Sequence, residues 1–596
     1  MILQSLVQYY EALREKEAIT APGWCEAKVA FSLSLSDEGA LVAVIPLKIP
    51  VMQGKKEVLR PQVKTVPEML SRSSGIAPNF LCDNSAYMIG IDNKGKPARS
   101  KECFEAAKSW HIEVLEHAEG VAANAVISYF TSWEPEKAES NPLLEPYLEE
   151  ILAGVNLIFR TKDGFVHEDA EVRKMWEACY GRQKNEVEGI CLVSGEHTQI
   201  ARTHGTIQGV IGAQSSGAAL VSFNAPAFES YGHEQSFNAP VGEYAVYAYT
   251  TVLSKLLADK RYATTIGDTT NCYWAEDGEE VYQNIFSAVV EPTIDNQEIV
   301  DGVFKNLKME RAIEVENVQD KLSLEQKFYI LGLAPNAARI AVRFFYQDSF
   351  GNIIKNIEAH YKRMEIVRPS MDQVEYLGVW RMLQETVNKK AREKKPIASM
   401  AGAVYRAIVS GERYPYSLYQ AVLGRLKAEQ DDKDNRIYKI TRGRAAIIKA
   451  FLMRNGTIKE EITMALNEES NNVAYILGRE FAVLESIQLD ANPDINATIK
   501  DRYFNSACTT PAIIFPILFR LKNSHISKLK IAQEVYYEKL LGSIQDKLSV
   551  SNDGSNTFPS RLDLEEQGMF VLGYYHQMQK KFEKKTKEEN EDGGND

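Results

Sequence analysis

Apolar residues recur every three to four positions at the start of the chain. Ile2, Leu3, Leu6, Val7, Tyr10 and Leu13 share one face, which predicts an amphipathic helix. Alternation replaces that period in KVAFSLSL, where Val29, Phe31, Leu33 and Leu35 point one way. The turn residues Ser36, Asp37, Glu38 and Gly39 separate this run from LVAVIPL, so a hairpin is expected. Further strands are expected in YMIGIDNKGKP (Tyr87 to Pro97, running into an Asn/Gly turn), CLVSGE (Cys191 to Glu196) and GAALVSFN (Gly217 to Asn224). TNCYWAE (Thr270 to Glu276) and IAVRFFYQD (Ile340 to Asp348) read the same way, and a helix is expected over Glu102 to Glu119. After about Met371 helical periodicity dominates. Val473, Ile476, Leu477, Phe481, Leu484 and Ile487 form one stripe, with Asn471 and Asn472 placed to cap it. Thr510 followed by Pro511 suits a cap and first-turn proline, Ile531 to Ile544 gives another stripe, and LEEQGMFVLGYYHQMQKKFEKK reads as the last helix. The charged, Gly-rich end TKEENEDGGND is expected to be disordered. The pattern as a whole predicts an α+β chain: a mixed α/β N-terminal region followed by an all-α C-terminal helical bundle.

At 596 residues the chain is long enough for several domains. Its 44% hydrophobic and 25% charged residues are those of an ordinary globular protein. No apolar run is long enough to span a bilayer, and the N-terminus lacks the basic and apolar regions of a signal peptide, so a cytoplasmic protein without membrane attachment is expected. Seven scattered cysteines without a CxxC pair disfavour a disulfide framework or a thiolate zinc site. Charge placement changes the picture more. Leu377 to Glu460 holds 18 Lys and Arg against 8 Asp and Glu, a local +10 in a chain of net charge -12, which leaves -22 for the rest. Lys48 to Arg72 holds a second excess of +4. Clustered cations displace counterions from a phosphate backbone, although a solvated face paired with acidic surface elsewhere has the same composition.

Catalytic motifs fail one by one. GIDNKGKP matches the GxxxxGK core of a phosphate-binding loop, but Pro97 stands where a Ser or Thr must hold magnesium. There is no HExxH, and His197 and His204 are seven apart, not four. GAQSSG (Gly212 to Gly217) is not a nucleophile elbow. Its glycines suggest a turn that exposes Gln214, Ser215 and Ser216 to a phosphate or base edge, or a plain connection. Asp268 in GDTT is a conceivable metal ligand but more simply a turn former. A metal-dependent enzyme on nucleic acid is therefore the alternative reading, and no cofactor or metal is expected.

Several long runs, in order, resemble one family. They are MILQSLVQYY, PNFLCDNSAYMIG, ICLVSGEHTQIARTHGTIQGVIGAQSSGAALVSFNAPAFESYG, NAPVGEYAVYAYTTVLSKLL, TIGDTTNCYWAE, YILGREFAVLESIQ, INATIKDRYFNSACTTPAIIFP and LEEQGMFVLGYYHQ. The chain resembles the large subunit of the type I-C CRISPR surveillance complex, Cascade. The resemblance implies a non-catalytic DNA-recognition subunit that reads the PAM in duplex DNA, helps unwind it, stabilises the R-loop and recruits a separate helicase-nuclease. Its partners would be the crRNA-bound backbone and 5′-end subunits, target double-stranded DNA, and a separate C-terminal small-subunit fragment started internally at Met464. The regions implied are 1–370 for PAM recognition and crRNA 5′-end docking, 371–463 basic and mainly helical, and 464–596 small-subunit-like. For such a protein, Asn79 and Asn84 are candidates for base edges (or turn and cap residues), and Lys64, Arg72 and Ser74 for phosphates. Gln214 and Ser215 are candidates for the minor groove. Lys389, Lys390, Arg392, Arg442 and Arg444 are candidates for the R-loop strands.

Overall fold

The computed structural model describes residues 1–53, 56–70, 72, 75–182, 187–308, 322–369, 372–432, 434–548 and 558–582. Ser74 and the C-terminal end expected to be disordered lie outside them. The described residues form two compact units: 1–205 with 221–253, and 206–220 with 254–596.

The first unit is organised by β1 (Trp24–Leu35). β2 (Leu41–Pro46) returns antiparallel as the expected hairpin, with Leu33 opposite Val44. β3 (Lys48–Gln53) and β4 (Lys56–Pro67) form a second hairpin, and β4 runs antiparallel to β1 from Trp24 opposite Pro67 to Val29 opposite Gln62. β5 (Cys82–Asp83), β6 (Asn156–Thr161) and β7 (Gly164–Phe165) complete a seven-stranded sheet, with β6 parallel to β1. Phe31, Leu33, Leu157 and Phe159 are fully buried with residues of helices Pro97–Leu115 and Val121–Ser132. His111 sits in this core, stacked on Phe80 and Phe130. Leu81 N–H donates to its Nε2, so its Nδ1 carries the proton and donates to the Ala107 carbonyl. A short hairpin, β8 (Glu188–Ile190) and β9 (His197–Gln199), follows.

The second unit begins with an antiparallel four-stranded sheet: β10 (Ala263–Ile266), β11 (Thr269–Ala275), β12 (Lys327–Asn336) and β13 (Arg339–Ser349). Residues 206–220 extend it. Ala219 N–H donates to Ala338 O, and Ile340 N–H donates to Ala219 O. From helix Phe350–Met364 onward the chain is mostly helical, and one hydrophobic core runs from Ile266 to Tyr575. Asn472 caps helix Val473–Ala491 by accepting from Tyr475 N–H, as the pattern predicts, and Pro511 opens helix Pro511–Ile526. Helices Val473–Ala491 and Leu564–Phe582 meet backbone to backbone. A Cβ on Gly478 would lie 2.0 Å from Phe570 O, and one on Gly573 would lie 2.0 Å from Tyr475 O.

Three expected strands differ. CLVSGE is the turn of the β8–β9 hairpin: Cys191 N–H donates to Glu196 O and Gly195 N–H to Cys191 O, so the chain reverses there. Tyr87 lies in a helical turn, Ser85–Met88, and Pro97 is the first residue of helix Pro97–Leu115, where its missing N–H costs nothing. GAALVSFN makes only isolated bridges at Ala218 and Ala219.

Two expectations test this packing. Gly573→Ala must push the helix pair apart and should cost about 1–3 kcal/mol or more. Gly542, in helix Ile531–Gln545 with open space beside it, should be neutral or gain up to about 1 kcal/mol as Gly542→Ala. Denaturant melts of both variants check the contrast. Burial lowers the pKa of His111, His167, His204 and His576 to about 4 and of His360 to about 3. Unfolded histidine titrates near ~6.5, so the unfolded chain takes up protons first as pH falls. The stability these groups contribute is whole above that value and lost toward pH 4. The thermal midpoint should therefore fall from pH 7 to pH 5, and less so in His360→Asn.

Candidate nucleic-acid interface

In the first unit, Lys64 projects from β4 with its Nζ 4.5 Å from the Phe165 ring centroid, and the Arg160 guanidinium lies 5.6 Å from the same ring. Lys64 and Arg173 both bear on His167 and add to the effect of burial in lowering its pKa. Arg173 stacks 4.7 Å over Trp24. Lys64, Arg160 and Arg173 form no ion pair among the described residues. Arg160 and Arg173 lie outside both basic stretches of the sequence, so local charge counting passes over them. Arg160 reaches the ring through the β6–β7 pairing that sets it opposite Phe165, and Arg173 comes from helix Ala170–Arg182.

The structure brings Arg72, Asn79 and Asn84 together around Asp83. The Arg72 guanidinium pairs with the Asp83 carboxylate and lies 4.2 Å over Tyr87. Asp83 also accepts from Asn79 N–H at 2.9 Å and Asn84 N–H at 2.8 Å. Its pKa is raised by burial, against the opposing pull of Arg72 and the two amides. Asn79 is buried and its Oδ1 accepts from Leu70 N–H. Asn84 is half-buried and its Oδ1 caps the next helical turn at Ala86 N–H. Nearby, the β3–β4 hairpin exposes Ile49, Val51, Met52, Leu59 and Val63, aliphatic groups on both faces of a ribbon that the charge count does not reveal.

In the second unit the basic stretch divides. Lys439, Arg442, Arg444 and Lys449 are buried. Arg442 donates to Asp372 at 2.9 Å and to the carbonyls of Val374 and Glu375. Arg444 is fully buried. It pairs with Glu429 and Glu385 and donates to the carbonyls of Glu385, Tyr438 and Lys439. Burial lowers the Lys449 pKa to about 8. Lys389, Lys390, Lys394 and Arg436, by contrast, line an open cavity of about 590 Å³. Lys390 pairs with Asp432 at 3.0 Å, while Lys389, Arg392, Lys394 and Arg436 make no ion pair among the described residues. Tyr438, 46% exposed, stands beside them. The loop carrying Arg436 is closed by two bonds between Asp432 and Ile437, and Arg436 itself is at φ +54°, a left-handed backbone that bulky residues adopt at a cost.

A family profile described as CRISPR-associated protein (Cas_Csd1) matches residues 6–582. The chain belongs to this family. Csd1 is Cas8c, the large subunit of type I-C Cascade. A comparison with curated proteins gives no match.

The remaining candidates of this Csd1 chain sit apart. Gln214 and Ser215 are exposed at the tip of a turn closed by Gly217 N–H on Gln214 O. Gly217, at φ +96°, has Thr206 where a Cβ would go, so this position needs glycine. Asp268 is paired with Arg343 at 2.9 Å, in a shallow site that also holds Arg406 and no second carboxylate, a donor set that fits an anion better than a metal. Among the described residues no three His, Cys, Asp or Glu side chains could hold a metal ion together, and no helix is long and apolar enough to cross a membrane. Met464 is 48% exposed between helices Arg442–Asn455 and Val473–Ala491, and its carbonyl accepts from Val367 N–H.

Arg444→Met leaves two buried or half-buried carboxylates without their cation and should cost about 3–5 kcal/mol of folding stability. Arg436→Ala should stay within about 0.5 kcal/mol. Chemical denaturation of the two variants measures the difference.

Proposed function

We propose that this Csd1 chain reads a PAM in duplex DNA, helps open the duplex, holds strands of the R-loop and recruits a separate helicase-nuclease. It does so beside crRNA-bound backbone and 5′-end subunits. The observation that carries this reading is the set of cations that have no carboxylate partner among the described residues: Lys64, Arg160 and Arg173 in one unit, and Lys389, Arg392, Lys394 and Arg436 in the other. The chain has 81 acidic residues, yet among the described residues none is paired with these cations. Cations held apart from carboxylates remain available to phosphate.

Within that reading the residues take different parts. Asn84, half-exposed, is offered to a base edge, and Asn79 and Arg72 hold its loop from beneath through Leu70 and Asp83. Lys389, Lys390 and Arg392 meet a strand backbone, with Tyr438 beside them to stack a base. Arg442 and Arg444 shape that platform from inside. Gln214 and Ser215 reach a groove from their turn. The functional regions remain 1–370, 371–463 and 464–596, and translation from Met464 yields a separate fragment of 133 residues. Such a fragment keeps the glycine-packed pair Val473–Ala491 and Leu564–Phe582. It loses the bonds from Tyr575 OH to Val367 O and from Tyr419 OH to Leu564 O, so it needs another surface to cover that side.

Duplex binding by the full chain, measured over a range of salt concentrations, tests the reading. Lys389→Ala and Arg436→Ala should each weaken binding on any sequence and reduce the slope of log K against log salt by about 1. Asn84→Ala should flatten the preference for the PAM and leave the slope intact. Slopes unchanged in both cation variants would refute the platform, and an unchanged preference in Asn84→Ala would refute that assignment alone.

A further inference from the structure

On the first unit a cavity of about 390 Å³ carries the opposite chemistry to the cationic sites. One wall is a single face of helix Pro97–Leu115, where Ala106, Ser109, Trp110 and Glu113 follow at steps of three and four residues. The second wall is Trp176 and Tyr180, one turn apart on helix Ala170–Arg182. Glu68 and Leu70, just past β4, and the Pro78–Phe80 segment close the remaining side.

The walls are fixed in advance. The Trp176 ring is stacked on Phe80 at 5.1 Å and 10°, and its Nε1–H donates to Gly23 O at 2.7 Å. Tyr180 packs against Trp176 at 5.9 Å and hydrogen-bonds the Glu68 side chain. The Asn79 amide holds Leu70 in place. Trp110 is half-buried and Glu113 is exposed at the rim. No Lys or Arg is among the lining residues described.

Aromatic faces present negative charge to whatever lies on them, and two carboxylates at the edges add to it. A phosphate is repelled from such a cavity. A cation on a long apolar stem fits each part of it: methylenes against Leu70, Pro78 and Ala106, the charged head against aromatic faces and carboxylate. Guanidinium fits better than ammonium, because it is planar, stacks, and pairs with a carboxylate through two bonds. We propose that this cavity, formed by Trp110, Tyr180, Trp176, Glu68 and Glu113, receives an arginine side chain from a partner protein and so anchors the first unit to its neighbour in the assembly. The anchor uses none of the residues assigned to phosphate, and it shares with the Asn84 loop only the supporting Asn79–Leu70 contact.

The test uses the full chain with isotope-labelled tryptophan, the Trp110 indole resonance being assigned from Trp110→Phe. N-acetyl-argininamide should shift that resonance saturably. The neutral isostere N-acetyl-citrullinamide should bind about tenfold more weakly, and adenosine monophosphate should leave the resonance where it is. Glu113→Gln, at an exposed position, should weaken arginine binding about fivefold without lowering the thermal midpoint. Equal response to arginine and citrulline, a response to the nucleotide instead, or none to arginine overturns the assignment of the ligand. In the complex assembled with its partner subunits, Trp110→Ala combined with Glu113→Gln should reduce incorporation of the chain at least tenfold, while the salt slope of DNA binding by the free chain is unchanged. Undiminished incorporation overturns the anchor.

Discussion

The arrangement in the second unit turns on one guanidinium. Arg444 has no exposure to solvent and lies between Glu429 and Glu385, with three carbonyls turned toward it. A charge taken out of water is tolerated only when paired and hydrogen-bonded, so the loops that supply those oxygens have little freedom. One is the loop after helix Val379–Gln384, which leads into Lys389 and Lys390. The other ends at Tyr438 and Lys439, just after Arg436. Because the inner arginine is satisfied by protein oxygens, the outer cations are displayed on a fixed frame, with Lys390 alone of Lys389, Lys390, Lys394 and Arg436 paired to a carboxylate among the described residues.

The same division of labour recurs in the first unit with different materials. There Arg72 is held by buried Asp83, and the loop that carries Asn84 is fixed around that pair. Lys64 and Arg160 lie on the face of Phe165 instead of on carboxylates. An aromatic face orients a cation without cancelling its charge, so the cation stays available to an anion. The acidic, aromatic-walled cavity on that unit complements this: it offers nothing to a polyanion and a good deal to a basic protein side chain.

Much of this fold is legible in the amino-acid pattern. The alternation of Val29, Phe31, Leu33 and Leu35 marks a real strand, because one long strand holds partners on both edges and cannot slip register. The stripe from Val473 to Ile487 and its Asn472 cap mark a real helix. CLVSGE and GAALVSFN mislead because short apolar runs fit a turn or an irregular segment as well as a strand, and only tertiary hydrogen bonds decide. Sites are less legible than elements. KKAREKK is visible as charge and is exposed apart from the half-buried Lys389 and Ala391. Arg442 and Arg444 are equally visible as charge and point inward, since composition does not encode the direction of a side chain on a helix packed on several sides. Arg160 and Arg173 are invisible to local counting, because a strand pairing places the first and a helix packed on the sheet places the second.

Residues 206–220 have a further consequence for the life of the chain. They lie along β13, with Ala219 bonded to Ala338 and Ile340, yet they are made about 120 residues before Arg339. At roughly 5–20 residues per second on the ribosome, that is an interval of roughly 6–24 s. During it Ala219 is without its partners Ala338 and Ile340, and the first unit gains 221–253 before β13 is made. Neither half of the protein is whole when its first residues emerge. Cutting the gene at a single point would not yield the two units, since the polypeptide passes between them three times.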